Sequence, residues 1–238
     1  MKLEMCVGSL EAARMASEYK VDRIETCIAL EQGGLTPTKS MVSWIHNTFQ
    51  LEQHVLIRQR AGGFCYDYDE LLIMRDQIVT MREIGVAGVV IGALTPDFEV
   101  DVTTLETWKR AAGNLDLTFH RAFDDVKDWK KGIDSLVKLG FKRLLTSGQS
   151  ASVATGLDRL TEICAYAAGR IEIMAGGGVT YSLLQPIIKT GVNAIHFSGT
   201  STTIVDKGSL FSTNLLLPNE EKTRSIIQAF QQLNLNLR

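Results

Sequence analysis

Cys6 and Cys27 each close a short apolar run, and each follows a glutamate by two residues, Glu4 and Glu25. Thiolates are soft ligands that suit Cu(I) or Zn(II) ahead of Mg(II), although two of them fall short of the four that structural zinc wants. Buried cysteines also pack as small hydrophobes, so the residues alone leave both readings open. His120 and Arg121 stand together at the end of another run. A general acid or base beside an anion clamp would look like this, and so would a histidine satisfied in a core. Arg58 and Arg60 alternate in Ile57-Arg58-Gln59-Arg60, and His196 precedes Ser198-Gly199-Thr200. Gly176, Gly177 and Gly178 follow directly on the apolar Ile171, Ile173 and Met174. Lacking Cβ atoms, they let a ligand approach the backbone closely, and exposed N–H groups there suit an anion; a glycine turn with nothing bound is the alternative. Ser147, in Thr146-Ser147-Gly148-Gln149, offers a hydroxyl but no Ser/His/Asp framework, so it reads as a binding group and not a nucleophile.

These residues need elements to hold them. Strand-like apolar runs fall at 2–7, 22–27, 54–60, 87–93, 115–121, 142–146, 170–175 and 193–198. Helix-period segments separate them at 9–19, 38–49, 68–84, 101–112, 128–139, 153–168 and 181–189, with Ser9 a cap for the first and Gly85 and Gly140 stops for the third and fifth. Eight strands alternating with helices predict an α/β protein, a single (β/α)8 TIM barrel, with an open doubly wound sheet as the alternative. After Gly199 the chain reads as polar and irregular until a C-terminal helix at 220–233 that covers the outer wall. The expectation is one domain over 1–238, with the barrel at about 2–200 and a C-terminal extension at about 201–238.

Strand alternation sorts the side chains by face. Glu4 and Cys6, Glu25 and Cys27, Arg58 and Arg60, Thr118 and His120, Glu172, and His196 and Ser198 fall on one face; the other face is apolar. Helices cover the outside of a barrel, so the polar face must point inward, with Glu25 and Arg58 expected to pair. Buried charges are costly unless paired. They form either an internal salt-bridge network or a site at the C-terminal ends of the strands. On the second reading Glu25, Arg58, Arg60 and His120 carry the chemistry. Arg121, Ser147, Gly176, Gly177, Gly178, His196 and Ser198 then hold an anion between the loops after strands seven and eight, where this fold usually places phosphate. His46 and His54 read as structural.

Composition narrows the partners. Hydrophobic residues make up 45% of the chain, ample for a core, and 25 basic against 27 acidic residues show no bias toward nucleic acid or an acidic membrane. No apolar run approaches signal or spanning length. Four cysteines without CxxC spacing read as reduced thiols, and a cytoplasmic location follows as the expectation. A homo-oligomer is compatible with the sequence.

Taken in order, Glu4-Met5-Cys6-Val7, Asp22-Arg23-Ile24-Glu25-Thr26-Cys27, Gly33-Gly34-Leu35-Thr36-Pro37, Ile57-Arg58-Gln59-Arg60, Leu117-Thr118-Phe119-His120-Arg121-Ala122-Phe123-Asp124, Leu145-Thr146-Ser147-Gly148-Gln149 and Ile173-Met174-Ala175-Gly176-Gly177-Gly178-Val179 resemble the copper homeostasis protein CutC family. The resemblance runs over about 2–200. It implies a TIM barrel, a cytoplasmic location and copper handling, with the family's proposed copper cysteines falling on Cys6 and Cys27. Gln59 stands where the family has proline, and Ala61, Gly63 and Gly199 also depart from its pattern. Two functions are therefore carried forward: a Cu(I)-binding protein of copper homeostasis, and an enzyme acting on a small anionic or phosphorylated molecule.

Overall fold

The computed structural model describes residues 1–235, so the last three residues of the expected extension lie outside it. In chain order its elements are β1 (Lys2–Val7), α1 (Leu10–Glu18), β2 (Arg23–Thr26), α2 (Lys39–Phe49), β3 (Gln53–Leu56), α3 (Tyr68–Ile84), β4 (Gly88–Ile91), α4 (Val102–Ala112), β5 (Asp116–Phe119), α5 (Trp129–Leu139), β6 (Arg143–Thr146), α6 (Leu157–Ala167), β7 (Glu172–Ala175), α7 (Leu184–Lys189), β8 (Ala194–Phe197), β9 (Thr200–Val205), β10 (Thr213–Pro218) and α8 (Glu220–Leu235). Strands β1 to β8 pair in parallel, each with the next, and β8 pairs with β1 to close the (β/α)8 barrel. The open sheet is thereby excluded.

Local chemistry sets the helix boundaries. The Ser9 hydroxyl accepts from the Ala12 N–H, Thr38 caps α2 in the same way, and Asp67 with Glu70 forms a reciprocal capping box on α3. Gly85 and Gly140 end α3 and α5 at positive φ. Most strands are shorter than the apolar runs predict, because the ends of the runs leave the ladder to form the barrel mouth. The run 54–60 is the clearest case: β3 stops at Leu56.

The faces divide as alternation requires. Met5, Ile24, Val55, Leu117, Ile173 and Ile195 point outward into one continuous core shared with the helices. Cys6, Cys27, Leu56 and Val90 pack together inside, as do Leu145, Met174 and Ala194. At the N-terminal end of the strands the interior is filled by ions. Arg23 and Arg143 are fully buried and share Glu172 at 3.2 Å each; Arg23 also reaches Glu4, and Arg143 reaches Asp116 at 3.3 Å. Part of the polar inward face is thus a salt-bridge network, which offsets part of the cost of burying its members.

Beyond β8 the structure corrects the expectation of an irregular segment. β9 and β10 pair antiparallel, Thr200 opposite Pro218 and Val205 opposite Thr213. Thr202, Thr203, Ile204 and Val205 are β-branched, and Leu215 and Leu216 stand opposite Thr203 and Thr202, a pairing that suits strands despite the polar composition. The helix α8 follows, capped at Lys222 by Asn219, and buries Ile226, Ile227 and Phe230.

Candidate functional site

A cavity of about 290 Å³ opens at the C-terminal ends of the strands. Cys6, Glu25, Cys27 and His196 line one part of it, His120, Arg58 and Phe64 another, and Arg121, Gly177, Gly178 and Ser198 a third. Ten residues singled out from the sequence therefore share one cavity: Cys6, Glu25, Cys27, Arg58, His120, Arg121, Gly177, Gly178, His196 and Ser198.

The thiols come together most closely. In the β1–β2 ladder Cys6 stands opposite Glu25, with Cys27 just beyond the end of β2, and the two sulfurs meet at 3.3 Å. Both residues are buried and unbridged. Cys6 Sγ lies 3.9 Å from Glu25 Oε1. One sulfur, oxygen or nitrogen atom from each of Cys6, Glu25 and His196 lies within 4.8 Å of the others, a spacing a metal ion could bridge.

Charge is organised around this cluster. The hydrogen bond with Cys27, with burial second, pushes the Cys6 thiol well above its ordinary range, so it rests protonated. Burial opposes a charge on His196, but the Glu25 charge and bonds to Cys6 and Glu4 overcome it and hold the imidazolium well above the usual histidine value. Its Nδ1 sits 2.8 Å from Glu4 Oε1. Burial raises the Glu25 carboxyl to about 7 against the pull of His196, with Glu4 adding to the rise. Glu25 Oε2 has no hydrogen-bond partner among the described residues.

His120 is the neutral counterpart. Burial, and then the Arg58 charge, lowers it to about 3. Its Nδ1 accepts the Ala122 N–H at 3.1 Å, which puts the ring proton on Nε2, an atom without a partner among the described residues. The ring lies on the bare backbone of Gly92, where a Cβ would come within 2.5 Å of it.

Several expectations are corrected. Arg58 does not pair with Glu25. Its guanidinium donates instead to the carbonyls of Gln32, Gly34 and Gly62 at 2.9, 3.1 and 2.8 Å and stacks over Phe64. Arg60 does not reach the cavity. With β3 ended at Leu56 alternation no longer applies, and Arg60 turns to Glu70, Cys65 and the ring of Tyr66. Ser147 lies behind the wall, where it donates to Asp124 and accepts from Arg121, both at 2.8 Å. Gly176 backs onto Leu145 and His196 and only Gly177 and Gly178 face the cavity.

Other groups escaped sequence reasoning. Arg23 lies two residues before Glu25 and shares its inward face, a signal available from alternation. Leu216 and Lys222 also line the cavity, and the β-branched run 202–205 was the cue to the hairpin that brings them there. Glu52, His54 and Asp116 cluster at the opposite end of the barrel, where Lys2, Lys142, Arg23 and Arg143 already supply their counter-charge. His54 is fully buried there, away from the cavity.

Comparison with known proteins adds the following. The model of the CutC family matches residues 1–201. A CutC family protein of Glaesserella parasuis serovar 5 (strain SH0165) is 41% identical over 199 residues, covering 83% of this chain and 82% of that one, and one from Pasteurella multocida (strain Pm70) is 38% identical over 200 residues, covering 84% and 82%. A solved Streptococcus agalactiae CutC, named for copper homeostasis, superposes with a TM-score of 0.79 at 34% identity, covering 83% of this chain and 99% of that one. The 3-hexulose-6-phosphate synthase of Salmonella typhimurium shares the fold, at 17% identity, a TM-score of 0.63 and coverage of 98% and 99%.

Proposed function

The chain belongs to the CutC family, and from that premise we propose that it binds Cu(I) as its cargo, through the thiolates of Cys6 and Cys27, in the service of copper homeostasis. The observation that carries this reading is the 3.3 Å approach of two buried, unbridged sulfurs in the wall of an open cavity. Thiolate pairs select soft ions, and Cu(I) is the softest that proteins handle routinely. Two metal–sulfur bonds of about 2.3 Å at a tetrahedral angle hold their sulfurs about 3.8 Å apart, and a wider angle spreads them further. The thiols must therefore open slightly as an ion enters.

Binding also has to remove protons, since the thiolate and not the thiol is the ligand. The Cys6 proton can pass to Glu25, whose Oε1 is 3.9 Å away and whose carboxyl titrates near neutrality. Two thiolates around one Cu(I) leave a net negative charge. The His196 imidazolium beside them balances it, and that cation is fixed in turn by Glu4. A cytoplasmic location fits this reading, since thiols so close together stay reduced there. No helix among the described residues is long and apolar enough to cross a membrane.

An anaerobic Cu(I) competition titration against a strong chelator tests the proposal. The expected result is about one equivalent bound by the wild type and loss of that site in both Cys6→Ser and Cys27→Ser. Retention of full affinity in either variant would overturn it.

A further inference from the structure

The cavity has a second polar wall that the thiol chemistry does not use. Gly177, Gly178, Val179 and Thr180 line it, and their four consecutive backbone N–H groups donate to no acceptor among the described residues. Gly177 and Gly178 both hold positive φ, +95° and +79°, so neither carries a side chain that could cover these amides without strain.

Two cations line the same cavity, and one of them, Arg121, stands over this wall. Arg121 commits Nε to Asp124 and Nη2 to Ser147, Ser150 and Ala151. Its Nη1 remains free among the described residues and lies 3.1 Å from the point where a Gly177 Cβ would be. Lys222 gives one proton to the Thr200 carbonyl at 2.8 Å, pairs with no carboxylate among the described residues, and keeps two donors. The Ser198 hydroxyl, 3.0 Å from that of Thr200, also faces the cavity.

Elsewhere in the lining, His120 Nε2 and Arg58 Nε are buried donors with no acceptor among the described residues. Leaving a buried donor unpaired costs about 1–3 kcal/mol, and among the lining side chains Glu25 Oε2 is the one buried acceptor without a partner among the described residues. An acceptor-rich, anionic ligand complements such a lining. A carboxylate offers two oxygens and one charge, whereas a phosphate monoester offers three oxygens and close to two charges, which suits four amides and two cations better.

We infer that this cavity binds a small phosphate-bearing molecule, with the phosphate held by the amides of Gly177 to Thr180, Arg121 Nη1 and Lys222, and the body of the molecule reaching toward the His120 Nε2–H. Lys222 and Leu216 come from beyond residue 201, where the family match ends. The phosphate end of the site is thus completed by the C-terminal hairpin and helix. The inference does not depend on copper binding, since none of its groups is a thiol.

Thermal unfolding of the whole protein at rising inorganic phosphate, against sodium chloride at matched ionic strength, tests it. The expected result is a saturable rise in midpoint for the wild type, kept in the Cys6→Ser/Cys27→Ser double variant. In Lys222→Glu, an exposed helix position, apparent affinity should fall about tenfold or more through loss of a charge-assisted contact. Absence of a saturable rise in the wild type, a rise unchanged in Lys222→Glu, or a rise lost with the thiols would each overturn the inference.

Discussion

His196 Nδ1 lies 2.8 Å from Glu4 Oε1 across the seam where β8 meets β1, and the other oxygen of that carboxylate takes the Arg23 guanidinium. Glu4 therefore joins the ion network that fills the barrel to the cluster beside the thiols.

Glu4→Gln should be costly. It removes one of the three carboxylates around Arg23 and one of the two that act on His196, and breaking a buried pair in this way costs about 3–5 kcal/mol. Urea unfolding should show the midpoint falling accordingly. NMR titration should show the His196 imidazolium losing its proton at lower pH than in the wild type, since Glu4 is one of the groups that hold it.

The buried carboxylates Glu4 and Glu25 titrate in opposite senses. Despite burial, the His196 bond and the nearby cations bring Glu4 down from 4.5 to about 2, so its contribution to stability is full above about 4.5 and is lost as pH falls toward 2. Burial takes Glu25 up from 4.5 to about 7, so its contribution is full below about 4.5 and is lost as pH rises to 7. At about 1.4 kcal/mol per unit, the Glu25 part amounts to about 3 kcal/mol. Glu25→Gln should remove it: the wild type loses stability relative to the variant between about pH 4.5 and 7, as paired unfolding curves at each pH will read.

Copper affinity should depend on pH in the same region. The Cys6 thiol rests protonated and must release its proton to solvent or to Glu25 as the ion binds. Each proton released makes apparent Cu(I) affinity rise about tenfold per pH unit, so a chelator competition repeated from pH 6 to 8 should show affinity increasing steadily. A flat profile would mean that binding releases no net proton to solvent.

Arg58 and Arg60 look alike in the sequence and should behave differently. Arg58 is 7% exposed and ties three loop carbonyls together. Arg58→Ala should cost about 2–4 kcal/mol, with Arg58→Lys a poor rescue because an ammonium cannot span the fork. Arg60, with its pair to Glu70 partly in solvent, should cost about 1 kcal/mol or less. Chemical denaturation of the variants compares them directly.

That contrast also marks how far alternation could be read. A two-residue period assigns faces correctly wherever the ladder persists, which is why Glu4, Cys6, Glu25 and His196 were placed inward from their spacing alone. At Arg60 the ladder has ended, and loop geometry, which has no period, decides. The expected Glu25–Arg58 pair failed for a related reason: loop carbonyls at Gln32, Gly34 and Gly62 compete for the guanidinium, and no pattern announces them. Strand spacing left the heights of Cys6 and Cys27 uncertain, because adjacent barrel strands are staggered; the β1–β2 register resolves this by setting Cys6 opposite Glu25. The hairpin went unseen because polar composition outweighed a β-branched run.

The cavity wall is completed by Leu216 and Lys222, while its thiols begin at residue 6. A ribosome thus delivers the cysteines first and the closing wall last. Until β8 emerges the barrel has no seam, and until Lys222 emerges the thiols look onto an unfinished mouth. Synthesis itself orders the site: Cys6 and Cys27 are made long before β8 and Lys222, the parts that close the barrel and complete the cavity wall.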